Sequence, residues 1–137
     1  MSSVPSRHWL HALLIALFFS FSSLACAADS LPRPGPLLPA KAMALIHSRG
    51  KNLTVIDVRT PEEYAKGHIP GAKLIPVEVM PQNLDRIPDG PVLIVCRTGR
   101  RAGVAYDIIR KARPQKDNIW YLQGTPVYQT GGQYEFL

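Results

Sequence analysis

The amino-acid sequence predicts an α/β fold: a central parallel sheet of four to five short strands with helices on both faces. Two observations lead there. Short apolar runs rich in β-branched residues alternate along the chain with helix-forming segments, which is the pattern of βαβ units. The chain has 137 residues and is 46% hydrophobic, enough for one domain around one packed core. No repeat at a period of about 20–50 residues points to a solenoid or propeller. Two cysteines are too few for a disulfide-dense scaffold or a four-ligand zinc site.

Residues 1–27 read as a secretory signal peptide. Arg7 and His8 open it, Leu10 to Phe21 is a nearly unbroken apolar run, and Ala25-Cys26-Ala27 is a small-x-small cleavage pattern. The run is too short to span a bilayer comfortably. An uncleaved anchor helix and a lipoprotein cut before Cys26 are the alternatives. Ser23 stands where the lipoprotein signal takes a larger aliphatic residue. The expected location is periplasmic, with no stable membrane insertion after cleavage. Removal of the segment takes Cys26 with it and leaves Cys96 as the lone thiol, worth attention in a compartment that pairs cysteines. Residues 28–39 read as a Pro-rich linker, because Leu31 to Pro39 holds four prolines in nine residues. The folded domain is expected over residues 40–137.

Within that domain, Ala40 to Arg49 has helix formers with Gly50 as a stop. Leu53 to Val58 is a buried strand. Thr60, Pro61 and Glu63 start a short helix: Thr60 caps, Pro61 suits the first turn and Glu63 completes a capping box. Gly67 and Pro70 end it. Leu74-Ile75 is a second strand, and Met80 to Arg86 a short helix. Val92 to Val95 is the clearest buried strand, Arg101 to Ala112 an amphipathic helix, and Asn118 to Leu122 the last strand.

The chemistry concentrates at Val95-Cys96-Arg97-Thr98-Gly99-Arg100-Arg101-Ala102. This turn leaves the carboxyl end of a strand and enters a helix, the edge at which open α/β sheets bind ligands. Successive backbone amides feeding a helix N-terminus form an anion cradle. Such a position, with guanidinium groups nearby, favours the thiolate of a cysteine. Arg97, Arg100 and Arg101 match planar oxyanions bidentately, although a basic helix start is often only a solvated face. A net charge of +6 fits anionic small molecules, nucleic acid or a membrane surface equally well. The basic residues are not interleaved with aromatics, which argues against nucleic acid. His68 reads as a turn residue rather than a metal ligand, and no metal is expected.

Three blocks in order resemble the rhodanese-like, or thiosulfate sulfurtransferase-like, family. Asp57-Val58-Arg59 with Pro61, Glu63 and Tyr64 is similar to its D-V-R-x-P-x-E-Y block. Gly67-His68-Ile69-Pro70-Gly71-Ala72 with Ile75-Pro76 is similar to its G-H-I-P-G-A block, and Cys96 to Arg101 to its six-residue active loop. The resemblance implies a three-layer rhodanese-like fold and a sulfurtransferase without metal or organic cofactor. It further implies that Cys96 attacks a small anionic sulfur donor such as thiosulfate and holds a persulfide. A thiol or cyanide acceptor then removes that sulfur. It assigns Arg97, Thr98, Gly99, Arg100 and Arg101 to substrate binding, with Arg97 and Arg101 on the sulfonate, and Asp57 and Arg59 to a supporting polar pair. The family pattern closes with Leu-x-Gly-Gly, a Trp and a helix. Here Thr125 follows Gly124, and Tyr128 stands about where the Trp would be.

Two other functions use such a loop. An exported sulfur carrier or binding module would keep Cys96 without turnover. A Cys-based phosphatase or arsenate reductase would need an arginine six residues after the cysteine, where this chain has Ala102. A disulfide oxidoreductase would need a second cysteine.

Overall fold

The computed structural model describes residues 30–137, so the signal-peptide reading of residues 1–27 lies outside the described residues. Five strands form one parallel sheet: β1 (Gly35–Leu37), β2 (Thr54–Asp57), β3 (Lys73–Leu74), β4 (Val92–Val95) and β5 (Ile119–Leu122). Their order is β1-β5-β4-β2-β3. Three α-helices cover it: α1 (Pro39–Arg49), α2 (Pro61–Lys66) and α3 (Arg100–Ala112). A two-stranded antiparallel hairpin of β6 (Pro126–Tyr128) and β7 (Tyr134–Phe136) completes the architecture.

The sheet separates two apolar layers, and the alternation of side chains along each strand assigns residues to them. Val92, Ile94 and Cys96 face one layer together with Ile56, Val58, Ile119 and, from α3, Ala102, Ala105 and Ile109. Leu93, Val95, Val55, Trp120 and Leu122 face the other, with Ala42 and Leu45 of α1, Tyr64 of α2, and Tyr128, Tyr134 and Phe136 of the hairpin. Helices therefore lie on both faces, as the sequence predicts. Each fully buried aliphatic side chain contributes about 1.5–3 kcal/mol, and β4, buried along its whole length, is the centre of this core.

The Pro-rich stretch corrects the expectation of a linker over residues 28–39. Leu37 is 3% exposed, and β1 pairs in register with β5 from Gly35–Trp120 to Leu37–Leu122. Prolines fit this strand because it lies at the sheet edge, where a missing N–H faces outward. The indole nitrogen of the fully buried Trp120 donates to the carbonyls of Pro32 and Arg33, both at 3.0 Å, and ties the segment down further. The segment expected as a short helix from Met80 to Arg86 is two 3-10 stretches, Val77–Gln82 and Leu84–Arg86, because Pro81 removes a backbone donor inside it. The capping box forms as read: the Glu63 amide donates to Thr60 Oγ1 at 3.3 Å and the Thr60 amide to Glu63 Oε2 at 3.2 Å. No helix among the described residues is long and apolar enough to cross a membrane.

Candidate active site

Adjacent parallel strands β2 and β4 end together, with Asp57 level with Val95. Two strand-to-helix turns therefore leave the carboxyl edge side by side. The β4 turn carries Cys96, which is 1% exposed. Its Sγ accepts hydrogen bonds from the amide of Gly99 at 3.1 Å and of Ala102 at 3.4 Å. Gly99 is the N-cap residue of α3 and has no side chain to offer; the sulfur takes the place that a Ser, Thr or Asp oxygen occupies at other helix starts. The first turn of α3 has no acidic residue, so its exposed amides and dipole are left for an anion.

Gly99 is required for two reasons. Its φ of 90° is left-handed, and a Cβ there would lie 2.8 Å from the Leu122 carbonyl oxygen and 3.1 Å from Gln123 Cα. The close approach of the loop to the end of β5 holds the Gly99 amide against the sulfur. Arg97, Thr98 and Arg100 are exposed around this floor.

The β2 turn is built differently. Asp57 is fully buried and Arg59 is 6% exposed. Arg59 donates to Asp57 from its amide at 3.0 Å, from Nε at 2.9 and 3.0 Å and from Nη2 at 2.7 Å, and Nη2 also reaches the Gly67 carbonyl at 2.7 Å. Burial works against the Arg59 charge, but the Asp57 hydrogen bonds and charge outweigh it and hold the guanidinium above its ordinary range. The pair thus clamps the first motif block to the second. His68 belongs to the same clamp: its ring stacks on Tyr64 at 3.7 Å, and its Nδ1 lies 2.9 Å from the Tyr64 carbonyl. No group of metal-ligating side chains occurs among the described residues.

The three loop arginines separate. Arg101 forms a two-pronged ion pair with Glu63, Nη1 to Oε2 at 2.7 Å and Nη2 to Oε1 at 2.8 Å. The Arg101 guanidinium holds the Glu63 carboxyl down to about 2, and Glu63 in turn raises Arg101 above its usual range. Arg97 and Arg100 make no hydrogen bond or ion pair among the described residues. They are the guanidinium groups free to meet a ligand.

After β5 the chain forms the β6–β7 hairpin, with a short 3-10 turn at Thr130–Gly132 between its strands. Thr125 and Leu137 exchange backbone hydrogen bonds of 2.8 and 2.9 Å, which extends the pairing of β6 with β7, and Tyr128, Tyr134 and Phe136 pack the hairpin against the core. Tyr128 on β6 is a site residue that spacing alone could only hint at. The Arg59 guanidinium carbon lies 4.8 Å from its ring centroid, a cation–π contact. Arg101 and Tyr128 both lie within electrostatic reach of Cys96.

Comparison with known proteins identifies the family of the fold. The rhodanese-like domain family matches residues 39–125, more than half of the chain, and the chain belongs to that family. A crystal structure of a rhodanese-like domain protein from Staphylococcus aureus superposes with a TM-score of 0.52 at 27% identity, covering 66% of this chain and 86% of that one. A sulfurtransferase of Allochromatium vinosum is 40% identical over 53 residues, 38% of this chain and 50% of that protein. An HTH-type transcriptional regulator of Mycobacterium tuberculosis is 33% identical over 111 residues, 74% of this chain and 48% of that protein. The chain spans about half the length of these two curated relatives.

Proposed function

We propose that this chain is a sulfurtransferase that moves sulfane sulfur from a small anionic donor of the thiosulfate type to a thiol or cyanide. We propose further that it acts outside the cytoplasm, in the periplasm, on the strength of the signal-like residues 1–27. The observation that carries the reading is the placement of Cys96 Sγ beneath the Gly99 and Ala102 amides, with Arg97 and Arg100 unpaired at the rim.

The Cys96 thiolate attacks the outer sulfur of thiosulfate. The new S–S bond forms as the donor's S–S bond breaks, and sulfite leaves with the electron pair. The acceptor thiolate or cyanide then attacks the terminal sulfur, and the Cys96 thiolate departs. This is covalent, two-stage catalysis. Preorganised amides stabilise the sulfur anion at both stages without having to reorganise during the reaction. With Cys96 buried, the reading favours a small donor over a bulky one. Where a phosphatase loop would need an arginine, Ala102 supplies its amide to the sulfur instead.

The test is intact-mass spectrometry of the purified mature protein after thiosulfate treatment. One sulfur atom is gained on the wild type and none on Cys96→Ala, and the measured N-terminus falls at Ala28. A wild-type protein that gains no sulfur overturns the donor; a Cys96→Ala protein that still gains it overturns the nucleophile.

A further inference from the structure

The two amides that reach the Cys96 sulfur are anchored differently. The Gly99 amide is fixed by the close approach of its residue to Leu122 and Gln123. The Ala102 amide belongs to the peptide unit that joins Arg101 to Ala102, inside the first turn of α3. That turn is weakly built. It has no side-chain cap and no acidic residue, and Gly99 and Gly103, which have the freest backbones of the segment, flank Arg100, Arg101 and Ala102. On its inner side the buried Ala102 methyl packs in the core. On its outer side the turn is tied by Arg101, whose Nη1 and Nη2 donate to Glu63 Oε2 and Oε1 at 2.7 and 2.8 Å.

Glu63 is itself held in place. Its amide donates to Thr60 Oγ1 at 3.3 Å, and its Oε2 accepts from the Thr60 amide at 3.2 Å as well as from Arg101. The capping box of α2 therefore aims this carboxylate from the β2 turn at the β4 turn. A planar guanidinium meeting both carboxylate oxygens fixes direction as well as distance.

We infer that Glu63 is a positioning residue for the nucleophile: through Arg101 it sets the Arg101–Ala102 peptide so that the Ala102 amide faces Cys96 Sγ. The Glu63 carboxylate bonds to Arg101 and to the Thr60 amide, not to the sulfur. The inference rests on Cys96 as the reacting group of the sulfur-transfer reading. It gives Arg101 the task of holding the helix start in place of gripping the sulfonate.

Charge alone acts in the opposite direction. Glu63→Gln removes the carboxylate that neutralises Arg101, and a freed guanidinium near the sulfur would by itself favour the thiolate. A displaced Ala102 amide disfavours it. The test follows the pH profile of Cys96 alkylation by iodoacetamide in the wild type, Glu63→Gln, Arg101→Ala and the double variant. The ion pair is partly exposed, so all of them fold. Glu63→Gln moves the profile to higher pH, and the rate on its acid limb falls about threefold, the size of one weakened hydrogen bond. In the Arg101→Ala background the same substitution adds nothing, because the link through which it acts is gone. A Glu63→Gln profile that stays in place or moves to lower pH overturns the inference, and so does an equal shift in both backgrounds. A profile that moves as expected in a protein that takes no sulfur from thiosulfate sustains the role of Glu63 and overturns the donor instead.

Discussion

The turns that follow β2 and β4 leave the same edge of the sheet side by side, and both carry arginine. After β2, Arg59 is buried and fully occupied by Asp57 and the Gly67 carbonyl. After β4, Arg97 and Arg100 are exposed and uncommitted, and the Cys96 sulfur accepts hydrogen bonds from two amides. Arg101 stands between the two cases, drawn from the β4 turn to Glu63 of the β2 turn. The difference teaches that guanidinium groups of one sheet edge divide into structure and binding by what else is within reach. A saturated partner closes the first site; the absence of one opens the second.

Substitutions break this contrast in order of expected size. Arg59→Ala strands the buried Asp57 carboxylate and costs about 3–5 kcal/mol of stability, measured by urea unfolding. A loss within error would mean that the clamp is not structural. Gly99→Ala comes next. The left-handed backbone alone costs about 1–2 kcal/mol, and the new Cβ would meet the Leu122 carbonyl at 2.8 Å. Its iodoacetamide reactivity and sulfur uptake both change, because the Gly99 amide is displaced from Sγ; unaltered chemistry would remove that amide from the account.

Arg97→Ala raises the KM for thiosulfate about tenfold with kcat nearly level, the pattern of lost ground-state binding. Arg101→Ala leaves KM near the wild-type value, since Glu63 already holds that side chain. Steady-state kinetics showing the reverse would exchange the roles of the two arginines.

The smallest effect is that of Glu63→Gln. The ion pair is partly exposed, so it is worth no more than about 1 kcal/mol. Because folding lowers the Glu63 carboxyl from 4.5 to about 2, its contribution is fully present above about 4.5 and is lost as pH falls through about 2. The stability difference between wild type and Glu63→Gln, followed by denaturant unfolding across acid pH, therefore shrinks over that window. A difference that grows towards low pH would contradict the pairing.

Much of this was legible from local pattern. The β4 strand, the Cys96 turn and α3 were readable because a short apolar run, a glycine and an amphipathic period are each local signals, and the Thr60–Glu63 box spans one helical turn. The strand β1 was not, because proline spacing reads as extended linker until Trp120, far along the chain, supplies its indole donor. The hairpin of β6 and β7 was missed for a related reason. Its strands are three residues each, too short to show a period, and their aromatic side chains pack against a core assembled from distant parts of the chain.

By itself, the sequence determined the alternating elements, the thiol at a strand-to-helix turn and the basic loop around it. These follow from interactions between residues a few positions apart. The tertiary structure alone decided which arginines remain free, that Glu63 serves both a helix cap and Arg101, and that the Tyr128 ring packs under the Arg59 guanidinium. Glu63 and Arg101 are separated by 38 positions, and contacts at that range depend on strand order and packing, which no local pattern encodes.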